Sequence, residues 1–111
     1  PWGADAATDQ HANYDFMVGE TSEVCAYDAG VSALGLCDLG GNVLEWTATR
    51  HHEYSAGAVT DPTGPSDVIE RVLRGGSWNP DVDRLRTWDR HYDPRPSEAY
   101  GGIGLRVLRM E

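Results

Sequence analysis

The sequence predicts an irregular α+β domain, loop-rich with few short strands, and three observations carry that expectation. Thirteen Gly and six Pro are spread through 111 residues, a density that breaks long helices and favours turns. Apolar residues recur in short runs rather than at helical spacing, so strands of a few residues are expected. Between those runs lie long polar stretches, the parts of a small domain that usually carry function.

The elements follow in chain order. Residues 1–12 are rich in Gly, Ala and Asp without periodicity and read as an irregular lead-in. Residues 13–18 suggest a first short strand. Residues 44–49 place aromatic and β-branched side chains just after a glycine loop and suggest a second. Residues 71–74, with Val72 and Leu73, read as a strand running into Gly75 and Gly76. Residues 103–110 alternate Ile, Leu, Val and Leu or Met with Gly and Arg, the clearest period of two in the chain. Residues 56–67 and 89–102 are expected to be long loops. With 40% apolar residues, the length suits one domain spanning 1–111 and one modest core. Much of that core is expected from the four Trp and five Tyr.

Net charge is −9, and all nine basic residues are Arg. An acidic surface repels phosphate backbones, so nucleic acid is not expected as a partner. No apolar run reaches the length of a membrane span.

Gly35, Leu36, Cys37, Asp38, Leu39, Gly40, Gly41, Asn42, Val43, Leu44, Glu45 and Trp46 form the most informative stretch. Two carboxylates bracket a loop of residues that tolerate positive φ, which lets several carbonyl oxygens converge. Hard cations such as Ca²⁺ favour that oxygen set. With Arg74, Gly75, Gly76, Ser77 and Trp78, the stretch resembles the signature of the formylglycine-generating enzyme, or sulfatase-modifying factor, family. Pro1-Trp2-Gly3, the group Asp61, Pro62, Gly64 and Pro65, and Gly104-Leu105-Arg106-Val107 stand in the family's order. The resemblance implies a C-type-lectin-like fold, of which this chain looks like the C-terminal part. An upstream half-domain or partner subunit is then expected.

The same resemblance implies Ca²⁺ ligands at the side chains of Asp38 and Glu45 and the carbonyls of Gly41 and Val43. An ordinary alternative has Asp38 capping a turn and Glu45 paired with an arginine. Leu44 stands where the family usually has Trp. The family enzyme keeps a copper-binding cysteine pair just after the Gly-Gly-Ser element. Here that window, residues 78–85, contains no cysteine, and soft Cu(I) needs thiolate or thioether ligands. The oxidase mechanism is therefore not expected, and neither is turnover of a cysteine-containing peptide.

Cys25 and Cys37 flank a glycine-containing loop, and a disulfide, a reduced pair and half of a zinc site compete. Zinc is weakest, since no Cys-x-x-Cys knuckle or matching His is present. An even count in a small loop-rich domain favours the disulfide if the protein is exported, which goes with an extracytoplasmic (periplasmic or secreted) location. Arg74, Arg86 and Arg106 read as supports that pair with carboxylates and carbonyls. His51, His52 and Glu53 read as a solvated loop, because neighbours on an extended chain face opposite ways.

Residues 78–100 mix the residue types of recognition surfaces. The candidate ligand contacts are Trp78, Asn79, Asp81, Asp83, Arg84, Trp88, Asp89, Arg90, His91 and Tyr92. Trp78 has the alternative of anchoring the core. The segment also looks like the variable region of diversity-generating-retroelement proteins, on Leu85, Arg86, Arg90, Pro96, Ser97, Ile103, Gly104, Leu105 and Arg106. The function expected is a calcium-stabilised module binding a protein or carbohydrate. Part of a divergent oxidative enzyme, or an accessory domain of a larger exported assembly, are the alternatives.

Overall fold

The computed structural model describes all residues except 55, 61, 62, 80, 81, 94, 96 and 109–111. Asp61, Pro62, Asp81, Pro96 and Met110 of the sequence expectations therefore lie outside the described residues. Four short strands form one sheet: β1, Leu44–Arg50, β2, Arg71–Arg74, β3, His91–Asp93, and β4, Ile103–Gly104. Their order is β3-β2-β1-β4. β2 is antiparallel to both β1 and β3, whereas β4 runs parallel to β1. Two 3₁₀ turns, Asp28–Gly30 and Val82–Leu85, are the helical pieces among the described residues.

β1 and β2 stand where the aromatic and β-branched runs place them. Trp46 pairs with Leu73, and Val72 with Tyr92. Leu73 is completely buried and Val72 nearly so, because β2 is flanked by a strand on each side. A second apolar cluster joins Ala12, Tyr14 and Leu85, with Trp2 and Ala7 packed against it. Tyr14 satisfies its hydroxyl by donating to the Ala7 carbonyl at 3.0 Å.

Four expectations are corrected. Residues 13–18 form a turn, because Asp15 and Phe16 take left-handed φ values of 49° and 56°, which an extended strand cannot hold. The turn folds over the later chain, Phe16 N–H donating to the Trp78 carbonyl at 2.7 Å. The C-terminal alternation yields only two strand residues, since β4 meets β1 just at Leu44 and Glu45. Leu105, Val107 and Leu108 beyond it are exposed. Tyr14 is the one buried member of the Trp and Tyr set among the described residues; aliphatic side chains fill most of the core. β3 also appears inside the stretch expected to be a loop.

Candidate recognition surface

The glycine loop before β1 is a structural knot. Asn42, at φ 63°, exchanges side-chain hydrogen bonds with the backbone of Ser22, accepting at 2.9 Å and donating at 3.2 Å. Its own N–H reaches the Asn13 carbonyl, and its carbonyl accepts from Trp78 N–H. Gly41, at φ 82°, lies so close to the neighbouring chain that a Cβ there would stand 2.6 Å from the Asn13 carbonyl oxygen. Positive φ and close approach both require glycine here.

Arg106 takes the carboxylate of Glu45, one of the groups expected to hold Ca²⁺. Its Nε donates to both Glu45 oxygens, at 3.1 and 3.0 Å, and its Nη2 to Oε1 at 2.6 Å. Nη2 also reaches the carbonyls of Cys37 at 2.9 Å and Asp38 at 3.4 Å. These hydrogen bonds to Glu45 are the main reason the guanidinium pKa rises above its usual value. Asp38 uses Oδ2 to accept from Cys25 N–H at 2.6 Å, and the Gly41 carbonyl accepts from Val43 N–H. Glu45 does not fit a Ca²⁺ ligand while Arg106 holds both of its oxygens.

Cys25 and Cys37 form a disulfide, which settles the three readings. Among the described residues, the group of ligand-type side chains close enough for one metal is Cys25, Cys37 and Asp38. Both of its sulfurs are committed to each other.

Of the segment expected to contact ligand, Trp78 and Asn79 are fastened inward. The Trp78 indole donates to the Gly101 carbonyl at 3.1 Å and packs on Phe16, and the Asn79 carbonyl accepts from Asp15 N–H. Asp81 lies outside the described residues. Asp83 pairs with Arg86 at 3.1 Å in the 82–85 turn. Arg84 meets His91 through Nη1 and Nδ1. Asp89 acts through its backbone, its carbonyl accepting from Arg74 and its N–H donating to the Arg86 carbonyl. Arg74, Arg86 and Arg106 thus all serve as supports to carbonyls or carboxylates.

The remaining members, Trp88, Arg90 and Tyr92, stand at alternate positions running into β3. The Arg90 guanidinium lies 3.5 Å from the centre of the Tyr54 ring, and Tyr54 donates its hydroxyl to the Trp88 carbonyl at 2.9 Å. Tyr92 stacks on His51 with ring centres 4.0 Å apart. Trp88 is 65%, Tyr54 66% and Tyr92 45% exposed. Trp88 also rims a 550 Å³ groove shared by Trp2, Asp5, Val82 and Leu85. Sequence reasoning missed Tyr54 and the ring of His51. Their signal was aromatic residues just after β1, and the Tyr92 that meets His51 lies on β3, a strand that was not expected.

The model of the sulfatase-modifying factor enzyme 1-like domain matches residues 1–111. The chain belongs to the sulfatase-modifying factor family. Its loop-rich α+β architecture is C-type-lectin-like, as the signature implies. Treponema denticola variable protein 1 has a similar structure, with a TM-score of 0.72 and 28% identity over 93% of this chain and 40% of that one. Serine/threonine-protein kinase Pkn1 of Chlamydia trachomatis is 38% identical over 99 residues, 86% of this chain and 16% of the relative. Hercynine oxygenase of Mycobacterium tuberculosis is 33% identical over 112 residues, 95% of this chain and 26% of the relative. This sulfatase-modifying factor domain therefore spans about a quarter or less of those curated relatives.

Proposed function

We propose that this family domain is a non-catalytic binding module, and that it recognises a protein or carbohydrate through Trp88, Arg90, Tyr92, Tyr54 and His51. The observation that carries the proposal is the Arg90 guanidinium held over the exposed Tyr54 ring, with Trp88 and Tyr92, two residues to either side of Arg90 in the chain, also exposed. Rigid aromatics and a pre-oriented Arg provide contact area at small entropic cost. Likeness to a protein named as variable supports a role in recognition, and agrees with the variable-region framework read in the sequence. The disulfide supports an extracytoplasmic location.

The test is a pull-down or glycan-array screen, followed by alanine variants with melting temperature recorded for each. Trp88→Ala or Tyr92→Ala should weaken binding by about 2 kcal/mol with folding intact. Folded variants that bind like the parent would remove this face from consideration.

Calcium enters as a proposal about exchange. Ca²⁺ at Asp38, Gly41, Val43 and Glu45 requires Glu45 to leave Arg106. A melting temperature raised by Ca²⁺ over chelator supports the ion, because a ligand of the native state stabilises by mass action. Identical curves assign the loop's positive charge to Arg106.

Relatives named as oxygenases supply the enzyme reading. Against it, the chain has two cysteines and both lie in the disulfide.

A further inference from the structure

We propose that a cavity of about 220 Å³ beneath the recognition face is a carboxylate-binding site, taking a carboxylate on a short aliphatic stem. The inference deepens the binding-module reading, since Arg90 and Tyr54 belong to both, and it rests on that reading for the place of the site. Thr47 and Thr49 of β1, Val72 and Arg74 of β2, His52, Tyr54 and Val59, and Arg90 line the cavity.

Charge makes the case. The chain carries −9 overall, yet among the described residues this lining contains two guanidinium groups and no carboxylate. Neither Arg is neutralised by an acid among the described residues. Arg74 donates to the carbonyls of Asp89 and Thr87, and Arg90 donates through Nη2 to the His52 carbonyl at 2.8 Å. Neutral carbonyls position a guanidinium and leave its charge in place. A guanidinium has five donors, and one Arg90 bond to a protein acceptor is found among the described residues. Its Nε is buried without an acceptor there, an arrangement that costs free energy in the unliganded protein. Planar, charge-assisted pairing with a carboxylate supplies the missing charge and acceptors.

The rest of the wall fixes the body of the ligand. Val59, Val72 and the Tyr54 ring present carbon, so a short methylene stem is favoured over a bare inorganic anion. Such a carboxylate is carried by a free small dicarboxylic acid or by a Glu side chain of a protein partner. Both present the same chemistry to Arg74 and Arg90.

Calorimetric titration of the intact chain distinguishes the sources. Glutarate represents the free acid, N-acetylglutamate N-methylamide the peptide side chain, and glutaramide the same stem without charge. At least one acid should saturate while the diamide does not, and the tighter acid identifies the source. Arg90→Gln should weaken that acid by about tenfold or more, and Arg90→Lys by less, because charge without the planar fork retains part of the interaction. Val59→Glu, at an exposed lip residue, tests the site without removing a support. Its carboxylate should occupy the cavity and weaken added acid by about tenfold as well. Equal binding of acid and diamide, no saturation by either acid, or unchanged affinity in Val59→Glu would overturn the proposal. Loss of acid binding in Val59→Glu with macromolecular binding retained separates this site from the aromatic face. Loss of macromolecular binding in Trp88→Ala with acid binding retained separates them in the other direction.

Discussion

At the scale of single residues, the loop between the disulfide and β1 is governed by positions where no other side chain performs the same task. Gly41→Ala puts a methyl group 2.6 Å from the Asn13 carbonyl oxygen in a backbone already at φ 82°. The combined cost of steric crowding and left-handed strain is roughly 2 to 4 kcal/mol, and chemical denaturation should show a lowered midpoint with an unchanged slope. A parent-like midpoint would mean that the loop relaxes freely. Arg106→Gln has a different signature. It strips Glu45 of a bidentate partner and the Cys37 carbonyl of a donor, with an expected loss of about 1.5 to 3 kcal/mol. Since hydrogen bonding to Glu45 raises the guanidinium pKa above its already strongly basic value, its contribution is present at all pH values below the unfolded-state pKa and is lost only as pH rises through the folded one. Stability of the parent attributable to Arg106 should therefore not vary between neutral pH and pH 9; a loss confined to that window would assign it to another group.

At the scale of elements, β1 and β2 were legible because local pattern and tertiary demand agree. Arg71–Arg74 places Val72 and Leu73 in a strand paired on both sides, and both apolar residues are buried. The residues 13–18 and 103–110 patterns misled for opposite reasons. The first is broken by left-handed Asp15 and Phe16; Asp tolerates that conformation, but nothing in the propensity of Phe announces it. The second ends early: pairing with β1 stops at Gly104, and Arg106, two residues on, is committed through its side chain to Glu45. The carboxylates around the glycine loop were found at once, but the cation that meets Glu45 lies 61 residues away, beyond any local pattern. The disulfide is the testable element of the same region. Cys25 and Cys37 close a separation of 12 residues, for which the chain-entropy model gives roughly 2 to 3 kcal/mol. Alkylation without reduction followed by mass spectrometry should find no free thiol, and reduction should lower the melting temperature. Two alkylated cysteines in the unreduced protein would overturn both the bridge and the oxidising location.

At the scale of the whole molecule, a sheet of four short strands among the described residues holds the long loops that make its surfaces, so the chemistry available depends on what those loops carry. The stretch after Gly76, up to the end of β3, carries Trp88, Arg90 and Tyr92 and no sulfur ligand, while both cysteines sit in the earlier Cys25–Cys37 bridge. Tight Cu(I) binding requires soft ligands brought together, and breaking the bridge to supply them removes a constraint on the fold. Oxygen activation by the family enzyme's cysteine chemistry is therefore disfavoured twice over, once by composition and once by stability. Titration of the intact, unreduced chain with Cu(I) against a chelating competitor should detect no tight thiolate site, and a sulfatase peptide containing cysteine should remain unconverted under air. After reduction, any copper bound should be accompanied by a lower melting temperature than the bridged protein shows. Peptide turnover by the unreduced chain would refute the non-catalytic assignment, because it would demonstrate a ligand set outside both cysteines.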